Sequence, residues 1–375
     1  MKVMTIVGTR PELIKLSRVI AELDRCTDHV LVHTGQNYDD ELNRVFFDDL
    51  EIRQPDYYLD AAGESAAETI AQVISKTDPV MVAEAPDAIL LYGDTNSCMA
   101  AIVAKRRKIP VFHMEAGNRS FDERVPEEIN RRIIDHISDI NMPLTEHARQ
   151  YLIAEGIRAE TIIKTGSCMQ EVLNYYADKI AASDILERLE LADEEFFLVS
   201  AHREENVDEP QRLKALLLSL TALVEQYDIP VIFSVHPRTR KRLDELAQGK
   251  LDSRIYFMQA MGFLDYIKLQ QHARCVISDS GTIAEESSLL NLPAVTIRQA
   301  HERPEGMDQG TLIMSDIVPE RLLSAVEIVL SQHVKDRSAV SVVPDYQGGR
   351  VSIRVTRIIH SYVDYVNRTV WRKYS

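Results

Sequence analysis

Short apolar runs that stop at a glycine or polar turn, each followed by apolar residues at helical spacing, recur along most of this chain. Lys2–Val7, Val30–Thr34, Ala88–Tyr92, Ile109–Met114, Ile140–Met142 and Thr161–Thr165 form a first series. Phe196–Ser200, Pro230–Ser234, Ile255–Met258, Arg274–Ile277 and Ala294–Thr296 form a second. Ala88–Tyr92 is apolar at every position, as a parallel strand covered on both faces requires. After the first run, Leu13, Leu16, Ile20 and Leu23 line one face of a helix. This alternation predicts an α/β chain of two Rossmann-like, doubly wound parallel-sheet domains.

At 375 residues the chain is too long for one compact core. The first domain is expected over residues 1–167 and the second over 168–349, the two facing a central cleft. Residues 178–195 read as a charged, helical linker and first helix, and Ala66–Glu84 as a helix interrupted at Pro79. Leu42, Val45, Phe46 and Leu50 mark a further helix, and the tail from Gly349 to Trp371 is amphipathic.

In such sheets ligands bind beyond the carboxyl ends of the strands. There the first series carries Gly8-Thr9-Arg10-Pro11, then Gly93-Asp94-Thr95, then Glu115-Ala116-Gly117, with Pro126-Glu127-Glu128 opening the next helix. Thr9 or Arg10 at a helix start can bind a phosphate oxygen, or Arg10 is a surface residue in a tight turn. Asp94 reads equally as a site carboxylate or a helix cap. Glu127 and Glu128 alone would complement the helix dipole by ~0.3–1 kcal/mol. Glu115 at a strand end, with Arg119, Arg124 and Arg131 interleaved, favours proton transfer on an anionic substrate.

The second series ends its strands in His202-Arg203, His236-Pro237-Arg238 and Ser280-Gly281-Thr282, the last running into Glu285-Glu286. A lone histidine at a strand end is usually a core or cap residue; two on one rim, each near an arginine, suit a diphosphate. Ser280 and Gly281 would present backbone N–H groups to an anion, and Glu285 or Glu286 would accept from ribose hydroxyls. Arg303 joins the same rim.

A net charge of −15 disfavours nucleic acid and anionic membrane as partners. Cys26, Cys98, Cys168 and Cys275 lack paired spacing and read as buried thiols in a reducing compartment. The N-terminal run is neither a signal peptide nor a spanning helix, so a cytoplasmic, soluble protein is expected. The first loop is not Gly-x-Gly-x-x-Gly, the fingerprint of a dinucleotide cofactor.

With these motifs in order, joined by Lys15 after Gly8-Thr9-Arg10-Pro11-Glu12, Asn130-Arg131 and Glu302-Arg303-Pro304-Glu305, the chain resembles the non-hydrolysing UDP-N-acetylglucosamine 2-epimerases over essentially its whole length. The resemblance implies a glycosyltransferase-B-like fold with the helix of residues 350–375 packing back on the first domain. It further implies a homodimer, no metal, no nicotinamide or other cofactor, and a UDP-sugar substrate serving surface-polysaccharide precursor synthesis. Asp94, Glu115 and Glu127 match the family's acid/base carboxylates. His202 and Arg10, with Lys15, Arg203 and His236, match positions near the diphosphate, and Ser280, Gly281, Thr282, Glu286 and Arg303 those on the nucleotide.

Granted that substrate, the proton on carbon 2 is not beside a carbonyl, and direct removal and return is excluded. Elimination of UDP to a 2-acetamidoglucal, then re-addition with the proton on the other face, is the expected route. The segment from Asn118 to Val125 is shorter than the usual family loop, and with Ser138-Asp139-Ile140-Asn141 it resembles the branch that makes UDP-N-acetyl-L-fucosamine from UDP-2-acetamido-2,6-dideoxy-L-talose. The family's effector segment is replaced by Gln36-Asn37-Tyr38. A UDP-sugar-dependent glycosyltransferase, a hydrolysing epimerase and a non-catalytic UDP-sugar sensor remain the rival readings.

Overall fold

Every strand in the structure pairs in parallel, as the uninterrupted apolar runs require. The computed structural model describes residues 1–35, 47–207, 209–235, 252–259, 261–300, 302–334 and 340–373, with 204 and 205 described by their backbone alone. The chain divides into two units, Met1–Asn174 with Pro344–Ser375, and Tyr175–Val343. The first unit runs past the Gly166-Ser167 turn because that turn is pinned to the returning chain. The Ser167 N–H donates to the Asp345 carbonyl at 3.1 Å, and Glu171 accepts from the backbone and hydroxyl of Ser352.

In the first unit β1 (Lys2–Val7), β2 (Asp28–His33), β3 (Tyr57–Tyr58), β4 (Ala88–Tyr92), β5 (Val111–Met114) and β6 (Ile140–Met142) form a sheet of order β3-β2-β1-β4-β5-β6. In the second unit the strands are β7 (Phe197–Ser200), β8 (Val231–Val235), β9 (Ile255–Gln259), β10 (Cys275–Ser278), β11 (Ala294–Thr296) and β12 (Ile313–Met314). Their order is β12-β11-β10-β7-β8-β9. The two orders are equivalent. Each sheet starts in the middle, winds outward, then restarts on the other side of its first strand, with the switch point at β1/β4 or β7/β10.

Helix Arg10–Cys26 buries Leu13, Leu16, Ile20 and Leu23, the face its spacing predicts. Helix Val351–Thr369 packs against it, burying Val351, Val355, Ile359, Val363 and Val366. Helix Ala66–Glu84 continues through Pro79 instead of breaking there. Burial of Val73, Val80 and Met81, at ~1.5–3 kcal/mol each, outweighs the ~3 kcal/mol an internal proline costs.

Thr161–Thr165 is not a ladder strand: Ala159–Thr161 is a 3-10 turn, and Asn141 and Ile162 form one isolated bridge. The edge strands β3 and β12, of two residues each, carry no periodicity to read. Of the helix read over Leu42–Leu50, residues 42–46 lie outside the described residues. Cys98, Cys168 and Cys275 are buried, but Cys26, in the last turn of its helix, is exposed.

Candidate active site

Register brings the first unit's carboxylates together. β4 and β5 pair with Tyr92 opposite Met114, so the turns at Gly93-Asp94 and Glu115-Ala116 leave the sheet side by side at its carboxyl edge. Asp94, with its side chain 22% exposed, receives the Arg131 guanidinium through Nε at 2.9 Å and through Nη2. Asn130 Nδ2 donates to the Asp94 carbonyl at 3.0 Å. Helix Pro126–Ile137 thereby grips the Asp94 turn from one side.

From the other side Thr95 Oγ1 donates to Glu12 at 3.0 Å, and Glu12 also accepts from the Gly8 N–H at 2.9 Å and Thr9 Oγ1 at 2.8 Å. The first and fourth strand-end loops therefore share one carboxylate. Burial pushes the Glu12 carboxyl up to about 7, against the pull of those three donors.

Glu115 has φ of 60°, the left-handed region, a conformation that costs a non-glycine residue of order 1–3 kcal/mol. Asn118 Nδ2 donates to its carboxylate at 3.1 Å. Gly117 follows with φ of 85°, and a Cβ there would lie 2.4 Å from the Ala148 carbonyl oxygen. The glycine of this motif is a packing requirement.

The paired glutamates separate in role. Glu128 is buried, accepts from the Ser120 N–H and hydroxyl, and pairs with Arg131 at 2.6 Å. Glu127 is half-buried and makes no hydrogen bond or ion pair among the described residues. Of the two, Glu127 is the carboxylate left available for chemistry.

The three arginines interleaved with these carboxylates are each paired with a carboxylate of the same unit. Arg119 is buried against Asp135 at 2.7 Å and Glu155 at 2.6 Å, Arg124 holds Asp122, and Arg131 bridges Asp94 and Glu128. A buried guanidinium without such partners would cost several kcal/mol, on the order of ~3–5. Arg10 stands half-buried at the start of helix Arg10–Cys26, with Lys15 buried further along it.

In the second unit Asp279 closes the turn after β10 and is fully buried. It accepts from the His202 N–H at 3.1 Å, the Arg203 N–H at 3.0 Å and Asn206 Nδ2 at 3.0 Å. These bonds fix the His202-Arg203 turn beside the Ser280-Gly281 turn. The His202 ring, 49% exposed, sits with Nδ1 3.2 Å from Asp279 Oδ1.

Helix Ile283–Leu290 begins two residues past Gly281, with Thr282 as its cap position. The Ser280 N–H already donates to Ser278 Oγ. Ser280, Gly281, Thr296, Arg298, Glu302 and Arg303 line a small, shallow pocket. Arg303 pairs with buried Glu285 at 2.8 Å, and Arg298 with Glu302 at 3.0 Å. Gln270 Nε2 donates to Glu286 at 2.7 Å. His236 lies outside the described residues.

Glu12 and Arg131 appear in the sequence motifs, but the contacts by which they steady this site, Glu12 to Thr95 and Arg131 to Asp94, were not read there. The Thr9-to-Glu12 spacing is a capping-box signal that marks the first. Nothing local marks the second.

A family model described as UDP-N-acetylglucosamine 2-epimerase matches residues 21–360. The UDP-2,3-diacetamido-2,3-dideoxy-D-glucuronate 2-epimerase of Pseudomonas aeruginosa is 32% identical over 367 residues, 96% of this chain and 99% of that protein. The solved UDP-N-acetylglucosamine 2-epimerase from Rickettsia bellii matches with a TM-score of 0.94 and 58% identity, covering 100% of both chains. The Methanocaldococcus jannaschii UDP-GlcNAc 2-epimerase, solved in complex with UDP-GlcNAc and UDP, matches with a TM-score of 0.89 and 34% identity over 96% of this chain and 100% of that one.

Proposed function

The chain belongs to the UDP-N-acetylglucosamine 2-epimerase family, and from that membership we propose that it inverts carbon 2 of a UDP-N-acetylhexosamine without net hydrolysis. The observation that carries the reading is the pair Asp94 and Glu115 on neighbouring strand ends, with Glu127 on the helix whose Asn130 and Arg131 hold Asp94.

A carboxylate takes the carbon 2 proton as the bond from carbon 1 to the UDP oxygen breaks. The products of this half are a 2-acetamidoglucal and UDP. In the second half a UDP oxygen re-forms the bond to carbon 1, and a carboxylic acid returns a proton to the opposite face of carbon 2. Asp94, Glu115 and Glu127 are assigned to these proton transfers. Arg10, Lys15, His202, Arg203 and His236 are assigned to the diphosphate, where charge develops on departure. Ser280, Gly281, Thr282, Glu286 and Arg303 are assigned to the nucleotide.

Proton NMR in deuterated water tests the reaction on UDP-N-acetylglucosamine, UDP-2-acetamido-2,6-dideoxy-L-talose and the 2,3-diacetamido glucuronate. Deuterium at carbon 2 with the UDP linkage intact is expected, and the fastest substrate identifies the branch. Absence of exchange with all three would refute the reading.

A homodimer fits an apolar surface on the first unit. Ile129 and Ile133, 54% and 39% exposed, share a face of helix Pro126–Ile137, and Ile102 is exposed on the neighbouring helix Ala100–Arg106. Light scattering at twice the 42.6 kDa chain mass is expected, and an Ile129→Asp, Ile133→Asp variant should run as a monomer. A cytoplasmic setting fits the three buried cysteines. No helix among the described residues is long and apolar enough to cross a membrane.

A further inference from the structure

We propose that His113 is a positioning residue for this reaction, tying the turn that carries Asp94 to the turn that carries Glu115 through one buried imidazole. The inference rests on the acid/base reading of those two carboxylates. His113 lies in the middle of β5, fully buried between Phe112 and Met114. An aliphatic side chain would fill such a position without the cost of desolvating a polar ring. The imidazole is used on both sides instead.

Its Nε2 lies 2.7 Å from the carbonyl oxygen of Gly93. A carbonyl only accepts, so Nε2 carries the hydrogen. Gly93 is the residue before Asp94, and the bond therefore sets the plane of the peptide that leads into that carboxylate.

Its Nδ1 lies 2.9 Å from Asp135 Oδ1, a close contact without the alignment of a hydrogen bond, between two groups that water does not reach. The same Asp135 carboxylate accepts from the Gly117 N–H at 3.1 Å and from Arg119 Nη1 at 2.7 Å. Gly117 and Arg119 belong to the turn that opens with Glu115. Burial alone would raise Asp135, but the His113 contact and the Arg119 guanidinium hold its carboxyl below the usual range.

The Arg119 guanidinium supplies the counter-charge that lets the Asp135 carboxylate stay buried. One path runs from Asp94 through the Gly93 carbonyl, His113, Asp135 and the Gly117 amide to Glu115. Both carboxylates depend on it for their spacing.

His113→Leu keeps the shape and removes both contacts, whereas His113→Gln keeps a donor for the Gly93 carbonyl. In His113→Leu, kcat for carbon 2 exchange should fall about 10- to 100-fold, as a misplacement of about 1 Å does. KM for the UDP-sugar and affinity for UDP should stay within about threefold, because the residues assigned to the nucleotide lie in the other unit and Arg10 and Lys15 lie on a different helix from either tied turn. His113→Gln should recover part of the loss. Backbone hydrogen exchange in His113→Leu should speed up about tenfold in peptides spanning 93–97 and 115–119, with β1 and β2 unchanged.

A His113→Leu kcat within twofold of wild type, or unchanged exchange in those two peptides, would overturn the proposal. So would faster exchange throughout the first unit without recovery by Gln, which would make His113 a bulk stability residue. If His113→Leu does not fold, His113→Gln and Asp135→Asn carry the same two readouts. A wild-type protein that labels no UDP-sugar refutes the epimerase reading, while the tie itself still stands or falls on the hydrogen-exchange arm.

Discussion

The two units share one strand order and treat the carboxylate at the switch point in opposite ways. Asp94 follows β4 and Asp279 follows β10, the equivalent strands of the two sheets. Asp94 keeps its side chain 22% exposed and is gripped from one side by Arg131. Asp279 is fully buried and surrounded by donors from His202, Arg203 and Asn206. Topology delivers an acidic residue to the same place twice. What surrounds it decides whether the carboxylate stays open to solvent or is sealed within a turn.

The largest expected effect is the same substitution at those two positions. Asp94→Asn should lower turnover about 10²–10⁴-fold, the span of a general acid or base, with UDP affinity by calorimetry and the melting temperature nearly unchanged. Asp279→Asn should destabilise the fold by about 1–3 kcal/mol, because an amide NH2 would face groups that are already donors. Full turnover in Asp94→Asn would end the assignment of that residue, and an unchanged melting temperature in Asp279→Asn would erase the contrast.

Next in size is a pH effect confined to the first unit. The Glu12 carboxyl is raised from 4.5 to about 7 in the fold. A raised carboxyl means the folded state holds the proton over that window while the unfolded chain has released it. Its contribution to stability is therefore complete below pH about 4.5 and is lost as pH rises through about 7. At ~1.4 kcal/mol per pKa unit this amounts to roughly 3 kcal/mol. Denaturant titrations of Glu12→Gln between pH 5 and 8 should be flatter than those of wild type by that order, and parallel curves would show that Glu12 is ordinary.

The smallest pair concerns the two motif glycines. Gly117→Ala places a Cβ 2.4 Å from a backbone carbonyl at φ of 85°, and should cost about 2 kcal/mol or more in thermal unfolding. Gly281→Ala meets nothing closer than 3.7 Å and should leave stability within about 0.5 kcal/mol. If Gly281 lies against the nucleotide, that substitution should act on UDP affinity instead. Equal stability losses at the two sites would show that the two turns are built alike.

Much of this was legible in the sequence because parallel strands are local signals. Ala88–Tyr92, Ile140–Met142 and Ala294–Thr296 were read with their observed bounds, since a short, mainly apolar run bounded by turn residues is the local mark of a buried strand. Asp94, Glu115 and Glu127 stood out because each follows a strand or opens a helix, and both positions can be counted along the chain. Thr161–Thr165 was misread because a short run becomes a ladder strand only if a neighbour pairs all along it, and here the pairing with β6 amounts to one isolated bridge at Ile162. Glu127 and Glu128 looked identical in sequence, and only the buried Ser120 and Arg131 groups separate them.

What the sequence by itself determined is the alternation of strand and helix, two sheets of one topology, the identity of the residues at each strand end, and through the ordered motifs the family. Those properties follow from periodicities of two to four residues and from turn chemistry, which neighbours along the chain impose. The tertiary structure alone decided that Arg119 is buried against Asp135 and Glu155, that Arg131 steadies Asp94, that Glu115 takes a left-handed bend, and that His113 reaches both Gly93 and Asp135. Each depends on the cost of desolvating a charge, and that cost is set by which distant segments close over it.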